Sequence, residues 1–134
     1  MVTFAVQPLP EFETRQRVNK LIRDGKCMVD EFKDEVLQDN NIRDEWGELI
    51  AVVKDIANDK MLPKTRYRKL KLSKKLPYSG FEAKSHNLRL YLFREHLTGQ
   101  ILVCGGKKKT QEKDIARLEK IIKEYSAFRH QQIK

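Results

Sequence analysis

Basic and aromatic side chains suited to phosphate chemistry are concentrated in one part of the sequence: Lys84, His86, Arg89 and Tyr91, followed by Lys107, Lys108 and Lys109. A guanidinium can bind two phosphate oxygens at once, so Arg89 is the natural phosphate clamp. Lys84 could act as a general base if neighbouring cations lower its pKa. His86 and Tyr91 could each donate or accept a proton. These residue types predict a surface that binds RNA and could cleave it without a metal.

The same residues also have a purely structural interpretation. An arginine on a strand is most often a solvated or paired charge, and a lysine triplet is often a solvated turn or a phosphate-steering patch. The histidines, His86, His96 and His130, have no metal-ligand spacing, and we predict neither a metal nor another cofactor.

The hydrophobic pattern predicts the elements that would position these residues. A short strand at 3–7 precedes a helical hairpin, with helices expected at 11–38 and 43–58. Three strands follow at 66–73, 81–94 and 101–104, and a helix with an apolar stripe from Ile115 to Phe128 ends the chain, leaving 129–134 as a frayed tail. We therefore predict one α+β domain, 1–134, in the order β-α-α-β-β-β-α. The helical hairpin would cover one face of an antiparallel sheet.

Strand alternation predicts a basic face on the other side of that sheet. Lys69 and Lys71 would share one face of their strand, and Arg89 and Tyr91 would share one face of the next. If the two strands are neighbours, their outward side chains converge. We expect this face to be open to solvent and to bind RNA through Lys69, Lys71 and the lysine triplet.

The charge of the chain is divided unevenly between its two parts. Residues 1–60 carry 9 Lys/Arg and 13 Asp/Glu, whereas residues 61–134 carry 19 and 6. The predicted hairpin would have an acidic outer face, formed by Asp30, Glu31, Asp34, Glu35, Asp44, Glu45, Glu48 and Asp55. A one-sided basic surface is typical of a protein that binds a polyanion, and nucleic acid is the favoured partner.

Targeting signals and membrane spans are not evident in the sequence. No run approaches the roughly 18 apolar residues of a spanning helix, and the N-terminus lacks the pattern of a signal peptide. Cys27 and Cys104 have no metal spacing and are most simply two reduced thiols. We therefore expect a cytoplasmic protein that does not associate with a membrane.

The stretch between residues 66 and 125 resembles a known protein family. The run LRLYLF, a short turn and then ILVCGGKKKTQEKDIARLEKIIKEY resemble the C-terminal half of RelE/HigB-type toxins, members of the RelE/ParE superfamily in bacterial type II toxin–antitoxin systems. The upstream segment GFEAKSHNLRLY is similar to the part of those toxins in which an acidic and a basic residue precede a strand arginine. The family commonly has an aromatic or Asp-Tyr pair near the end of the last strand, where this chain has Gly105-Gly106.

The resemblance implies a RelE-like fold and an mRNA endoribonuclease, or mRNA interferase, that works with or without the ribosome. Arg89 matches the strand arginine of the family and Lys84 the basic residue before it, while Lys107, Lys108 and Lys109 match the lysines at the strand–helix junction. The implied partners are mRNA, the ribosome and a cognate antitoxin of the helix-turn-helix type. Two alternatives remain open: a ParE-like, non-catalytic inhibitor of DNA gyrase, or a non-toxic nucleic-acid-binding module of the same fold.

Overall fold

The computed structural model describes residues 1–133, with side chains described as far as Gln132. The strands are β1 (Phe4–Pro8), β2 (Val18–Arg23), β3 (Tyr67–Leu70), β4 (Ser79–Lys84), β5 (Leu88–Glu95) and β6 (Gly99–Lys107). The helices are α1 (Met28–Gln38), α2 (Asp44–Ala57) and α3 (Gln111–Ile133). One six-stranded sheet has the spatial order β1-β2-β6-β5-β4-β3. The predicted α+β class, with a C-terminal helix, is confirmed.

Helices cover both faces of this sheet. On one face α1 and α2 pack over Leu88, Leu90 and Leu92, and on the other face α3 packs over Tyr91 and Phe93. The prediction that this face of the sheet is open to solvent is therefore wrong. The apolar stripe of α3 needs an apolar surface to cover, and the only sheet face left for it is the one that we assigned to solvent.

The prediction of a helix over 11–38 is wrong for the first half of that range, because a strand, β2, lies there and α1 begins only at Met28. Val18 and Leu21 are three residues apart, which mimics a helical period, but both lie on β2 and pack into opposite cores. Asp24 and Gly25 adopt positive φ angles of 50° and 79°, which turn the chain before α1 begins. Strand β2 pairs in parallel with β6, so the sheet is mixed and not antiparallel throughout.

The single strand predicted at 81–94 is a hairpin of two strands. β4 and β5 are antiparallel neighbours, which places Lys84 opposite Arg89 and Glu82 opposite Tyr91. β3 pairs with the edge of β4 that faces away from β5, so β3 and β5 are not neighbouring strands. The predicted convergence of β3 side chains on Arg89 from an adjacent strand is therefore wrong.

The C-terminal helix is longer than predicted. α3 continues to Ile133, so the frayed tail expected at 129–134 is wrong as far as residue 133, and Lys134 lies outside the described residues. Glu95 at the end of β5 anchors this part of the helix by accepting hydrogen bonds from Tyr125 and Arg129. Among residues 1–133, no helix combines the length and the apolar character that a membrane span requires.

Candidate active site and nucleic-acid interface

Glu82 on β4 is a fully buried carboxylate at the centre of a polar cluster. Nε of Arg68, its partner on β3, lies 3.2 Å from Oε1, and Nζ of Lys84 lies 3.9 Å from the same oxygen. At the start of α3, Gln111 donates from Nε2 to Oε2 at 2.7 Å. Three elements, β3, β4 and α3, therefore bring two cations and an amide to one acid.

Arg89 lies opposite Lys84 and is held rigidly by the backbone. Its Nη1 donates to the carbonyl oxygens of Ser85 at 2.8 Å and of Leu88 at 2.9 Å. These two bonds fix the guanidinium in place, and the residue is only 7% exposed. Its Nε has no hydrogen-bond partner in the described part of the chain. Arg89 is thus a preorganised cation with one donor, Nε, that is buried and has no partner.

The environment of Lys84 lowers the pKa of its amine. Burial lowers the pKa of this amine, and the guanidinium groups of Arg68 and Arg89 lower it further, while the Glu82 carboxylate opposes them. The amine also donates to the carbonyl oxygen of Lys64 at 3.0 Å, which orients it. A lowered pKa increases the neutral fraction near physiological pH, and only the neutral amine can accept a proton.

Tyr91 is completely buried beneath α3, so the expectation that it faces solvent is wrong. Its hydroxyl has no hydrogen-bond partner among the described residues. Burial, together with the charge of Glu82, raises the pKa of the phenol far above its ordinary value. A buried phenol that retains its proton cannot exchange one directly with a substrate, which argues against a catalytic role for Tyr91.

Several buried polar atoms of this cluster lack a hydrogen bond of good geometry. Within the described side chains these atoms are Arg89 Nε, the Tyr91 hydroxyl and Glu82 Oε1, of which the last keeps its ion pair with Arg68, and one further atom, Gln100 Oε1, lies outside the cluster. An unsatisfied buried group typically costs about 1–3 kcal/mol, so proteins rarely collect several in one place. Such a local sacrifice of stability is typical of a functional site.

The lysine triplet and His86 lie at the end of the sheet that holds Arg89 and Lys84. Lys107 pairs in register with Leu88, and the backbone N–H of Lys108 donates to the carbonyl oxygen of Asn87 at 2.9 Å. The side chains of this rim are exposed: His86, Lys107, Lys108 and Lys109. The triplet and His86 therefore lie at the same end of the sheet as the Arg89–Lys84 pair. Lys107, which is paired with Leu88, belongs to the α1–α2 face, whereas Arg89 belongs to the α3 face.

Lys69 and Lys71 lie elsewhere, and their predicted place beside Arg89 is wrong. Lys69 is exposed opposite Phe81 and shares the strand face of Tyr67, which packs towards the α1–α2 side. Lys71 is exposed beyond the end of β3. Leu70, which alternates with these lysines, packs in the core beneath α3. Lys69 and Lys71 therefore lie on the face of β3 opposite to the one predicted.

Glu82, Arg68 and Gln111 are therefore the residues of this cluster that were not among the candidate site residues predicted from the sequence. The signal for Arg68 was available in the alternation of β3, because any register that buries Leu70 under α3 also turns Arg68 towards the same face. Gln111 left no such signal, since its contact depends on how the first turn of α3 docks.

Gly105 and Gly106 allow helices on both faces to approach β6 closely. An added Cβ would lie 2.2 Å from the Phe32 ring of α1 at Gly105, and 1.9 Å from Asp114 Oδ2 of α3 at Gly106. Asp114 is itself held by a 2.6 Å hydrogen bond from Thr110 Oγ1. Side chains from the two helices thus cover the positions at which the resemblance led us to look for aromatic residues.

Comparison with known proteins finds no matching protein family, no similar curated protein and no similar solved structure for this chain. The functional argument therefore depends on the geometry of the Arg68–Glu82–Lys84–Arg89 cluster, hereafter the cation cluster.

Proposed function

We propose that the protein is a metal-independent mRNA endoribonuclease, the toxin of a cytoplasmic type II toxin–antitoxin pair. One observation supports this above the others: Lys84, an amine with a lowered pKa, lies opposite a rigidly held Arg89 and beside Arg68, at a sheet end rimmed by three exposed lysines. A base, phosphate-binding guanidinium groups and a polyanion-attracting rim are what cleavage by an internal nucleophile requires.

The proposed reaction is transesterification within the RNA strand. Neutral Lys84 takes the proton of a 2′-hydroxyl, whose oxygen attacks the adjacent phosphorus. Arg68, which is about half exposed, and Arg89 behind it stabilise the additional negative charge on the phosphate. The bond to the 5′-oxygen breaks, and His86 on the exposed turn donates a proton to that leaving oxygen. The products are a 2′,3′-cyclic phosphate and a 5′-hydroxyl.

The proposed partners are mRNA, presented by the ribosome or free, and a cognate helix-turn-helix antitoxin. The rim formed by Lys107, Lys108 and Lys109 suits the phosphates of a single strand, because exposed ammonium groups bind phosphates without reading sequence. An acidic antitoxin segment over the same rim would block access to the cation cluster.

The experiment is controlled expression, followed by purification and assay of cleavage. Wild-type protein is expected to arrest growth, to produce discrete mRNA cuts, and to leave 2′,3′-cyclic phosphate ends on a short RNA in EDTA. Lys84→Gln, which preserves shape, should abolish cutting without lowering the melting temperature. Lys123→Gln, an equal charge change at an exposed site on α3, should cut normally.

The outcomes separate the proposal from its alternatives. Cleavage by Lys84→Gln at the wild-type rate would refute the assigned base. Growth arrest with intact mRNA and a DNA-damage response would replace the proposal with a ParE-like gyrase inhibitor. Salt-dependent RNA binding without toxicity would leave only a nucleic-acid-binding module.

A further inference from the structure

We propose that Glu45 on α2 is a positioning residue for Lys84 and Arg89, acting from the opposite side of the sheet. This inference deepens the proposed function and rests on it. The acidic pattern of the hairpin places Glu45 on its outer surface, but the side chain faces inward and the residue is 9% exposed. A buried carboxylate needs strong hydrogen bonds to be tolerated, so its partners identify its role.

Every hydrogen bond described for the Glu45 carboxylate comes from the turn between β4 and β5. Ser85 Oγ donates to Oε1 at 2.5 Å, the Asn87 backbone N–H donates to Oε1 at 2.7 Å, and Asn87 Nδ2 donates to Oε2 at 2.8 Å. Burial alone would raise the pKa of Glu45, but these three bonds outweigh it and leave the pKa below its ordinary value. The carboxylate is therefore charged at neutral pH and holds both ends of a three-residue turn.

The turn transmits this constraint to the cation cluster. Ser85, held by Glu45, offers its carbonyl oxygen to Arg89 Nη1 at 2.8 Å, and it directly follows Lys84. The Ser85 backbone N–H donates to the carbonyl oxygen of Leu88 at 3.0 Å, which closes the turn. Arg89 lies on the α3 side of the sheet and Glu45 approaches from the α2 side, so the coupling runs through the backbone.

The core pattern of α2 shows that Glu45 is not simply tolerated there. Leu49, Val52 and Ile56 continue the same buried stripe at helical spacing, so an apolar residue at position 45 would complete an ordinary core. Water at the surface could also accept the hydrogen bonds of a short polar turn such as 85–87, so the turn does not by itself require a buried carboxylate. A charged residue in the stripe is best explained by the need to hold Ser85 and Asn87 in one geometry.

The test compares Glu45→Ala and Glu45→Gln with Glu48→Ala, a matched loss of charge at an exposed position of the same helix. Misplacing a catalytic group by about 1 Å can cost about a hundredfold, so we expect kcat for RNA cleavage to fall about 10- to 100-fold in Glu45→Ala. RNA affinity should change less than about threefold, because the lysine rim is untouched. Glu45→Gln, whose Oε1 can still accept the bonds from Ser85 Oγ and the Asn87 backbone N–H, should recover most of kcat, and Glu48→Ala should behave as wild type.

A second measurement does not depend on cleavage: the ¹⁵N resonance of Arg89 Nε–H. It should shift or broaden in Glu45→Ala and stay unchanged in Glu48→Ala. If the wild type does not cleave RNA but the resonance responds in this way, the proposed function fails and the positioning role stands. An unchanged resonance, or a loss of kcat no larger than the loss of folded protein, would overturn the inference.

Discussion

Replacing Gly105 with alanine tests how α1 seats on β6. An added Cβ would lie 2.2, 2.3 and 2.7 Å from three atoms of the Phe32 ring, whereas carbon atoms pack best at about 3.5–4.0 Å. The ring would have to retreat by about 1 Å, yet Phe32 is 8% exposed and packs edge-to-face on Trp46 at 6.1 Å. Overpacking of this kind costs about 1–3 kcal/mol.

The sign of the effect makes this prediction decisive. In a strand without such a contact, glycine to alanine would stabilise by about 0.5–1 kcal/mol. We expect Gly105→Ala to be less stable by about 2 kcal/mol, which corresponds to a fall in melting temperature of about 5–10 °C for a domain of this size. Thermal unfolding followed by circular dichroism measures it.

A double-mutant cycle assigns the cost to Phe32. Phe32→Leu alone should destabilise because it leaves a cavity, but Gly105→Ala should cost little in that background, giving a coupling of about 1–2 kcal/mol. A Gly105→Ala variant that melts at or above the wild-type temperature would refute the packing of α1 on β6 described above. An additive double mutant would refute the role of Phe32.

Three further predictions concern Tyr91, the Glu95 anchor of α3 and the lysine rim. Tyr91→Phe removes a hydroxyl without a hydrogen-bond partner, so unfolding free energy should change by less than about 1 kcal/mol and RNA cleavage should persist, as melting and single-turnover assays would show. Glu95, whose pKa is lowered because hydrogen bonds from Thr98, Tyr125 and Arg129 outweigh burial, should stabilise the fold above about pH 4.3 and lose that contribution as pH falls through its lowered pKa. In urea titrations Glu95→Gln should therefore differ most from wild type near neutral pH and should converge with it as the pH falls through the lowered pKa of Glu95. Changing Lys107, Lys108 and Lys109 to glutamine should weaken RNA binding uniformly and lower the salt slope by about 2–3.

The elements with a long and regular period were predictable. The helix expected at 43–58 is α2, and the leucines at 88, 90 and 92 do face the helices of the hairpin. Arg89 was identifiable as a candidate phosphate clamp because a charge among leucines is conspicuous, and Lys84 was identifiable as a candidate base from its residue type and from the resemblance. Their mutual geometry was not predictable, since it depends on a three-residue turn at 85–87 that interrupts what looks like one alternating run.

The failures share a physical cause, which is competition for the faces of the sheet. The charge distribution and the alternation of side chains along the strands suggested an open basic face. The apolar stripe of α3 packs on that face instead and buries Tyr91. β2 was mistaken for helix because Val18 and Leu21 point to opposite cores, and only a sheet covered on both faces makes such a strand apolar on both sides. Local pattern cannot reveal how many layers a fold has.

The arrangement of Lys84 and Arg89 is itself an argument for function. Like charges directly opposite each other on neighbouring strands destabilise a sheet. Glu82 offsets this repulsion on the same face, and Glu45 holds the connecting turn from the other face, so two buried carboxylates support one unfavourable pair. A sequence under selection for stability alone would replace either cation with a β-branched or polar residue. Both cations are present here, with supporting acids from two different elements. The proposed function explains this cost, because it needs the pair to stay close together so that the pKa of one amine is lowered and one phosphate is bound.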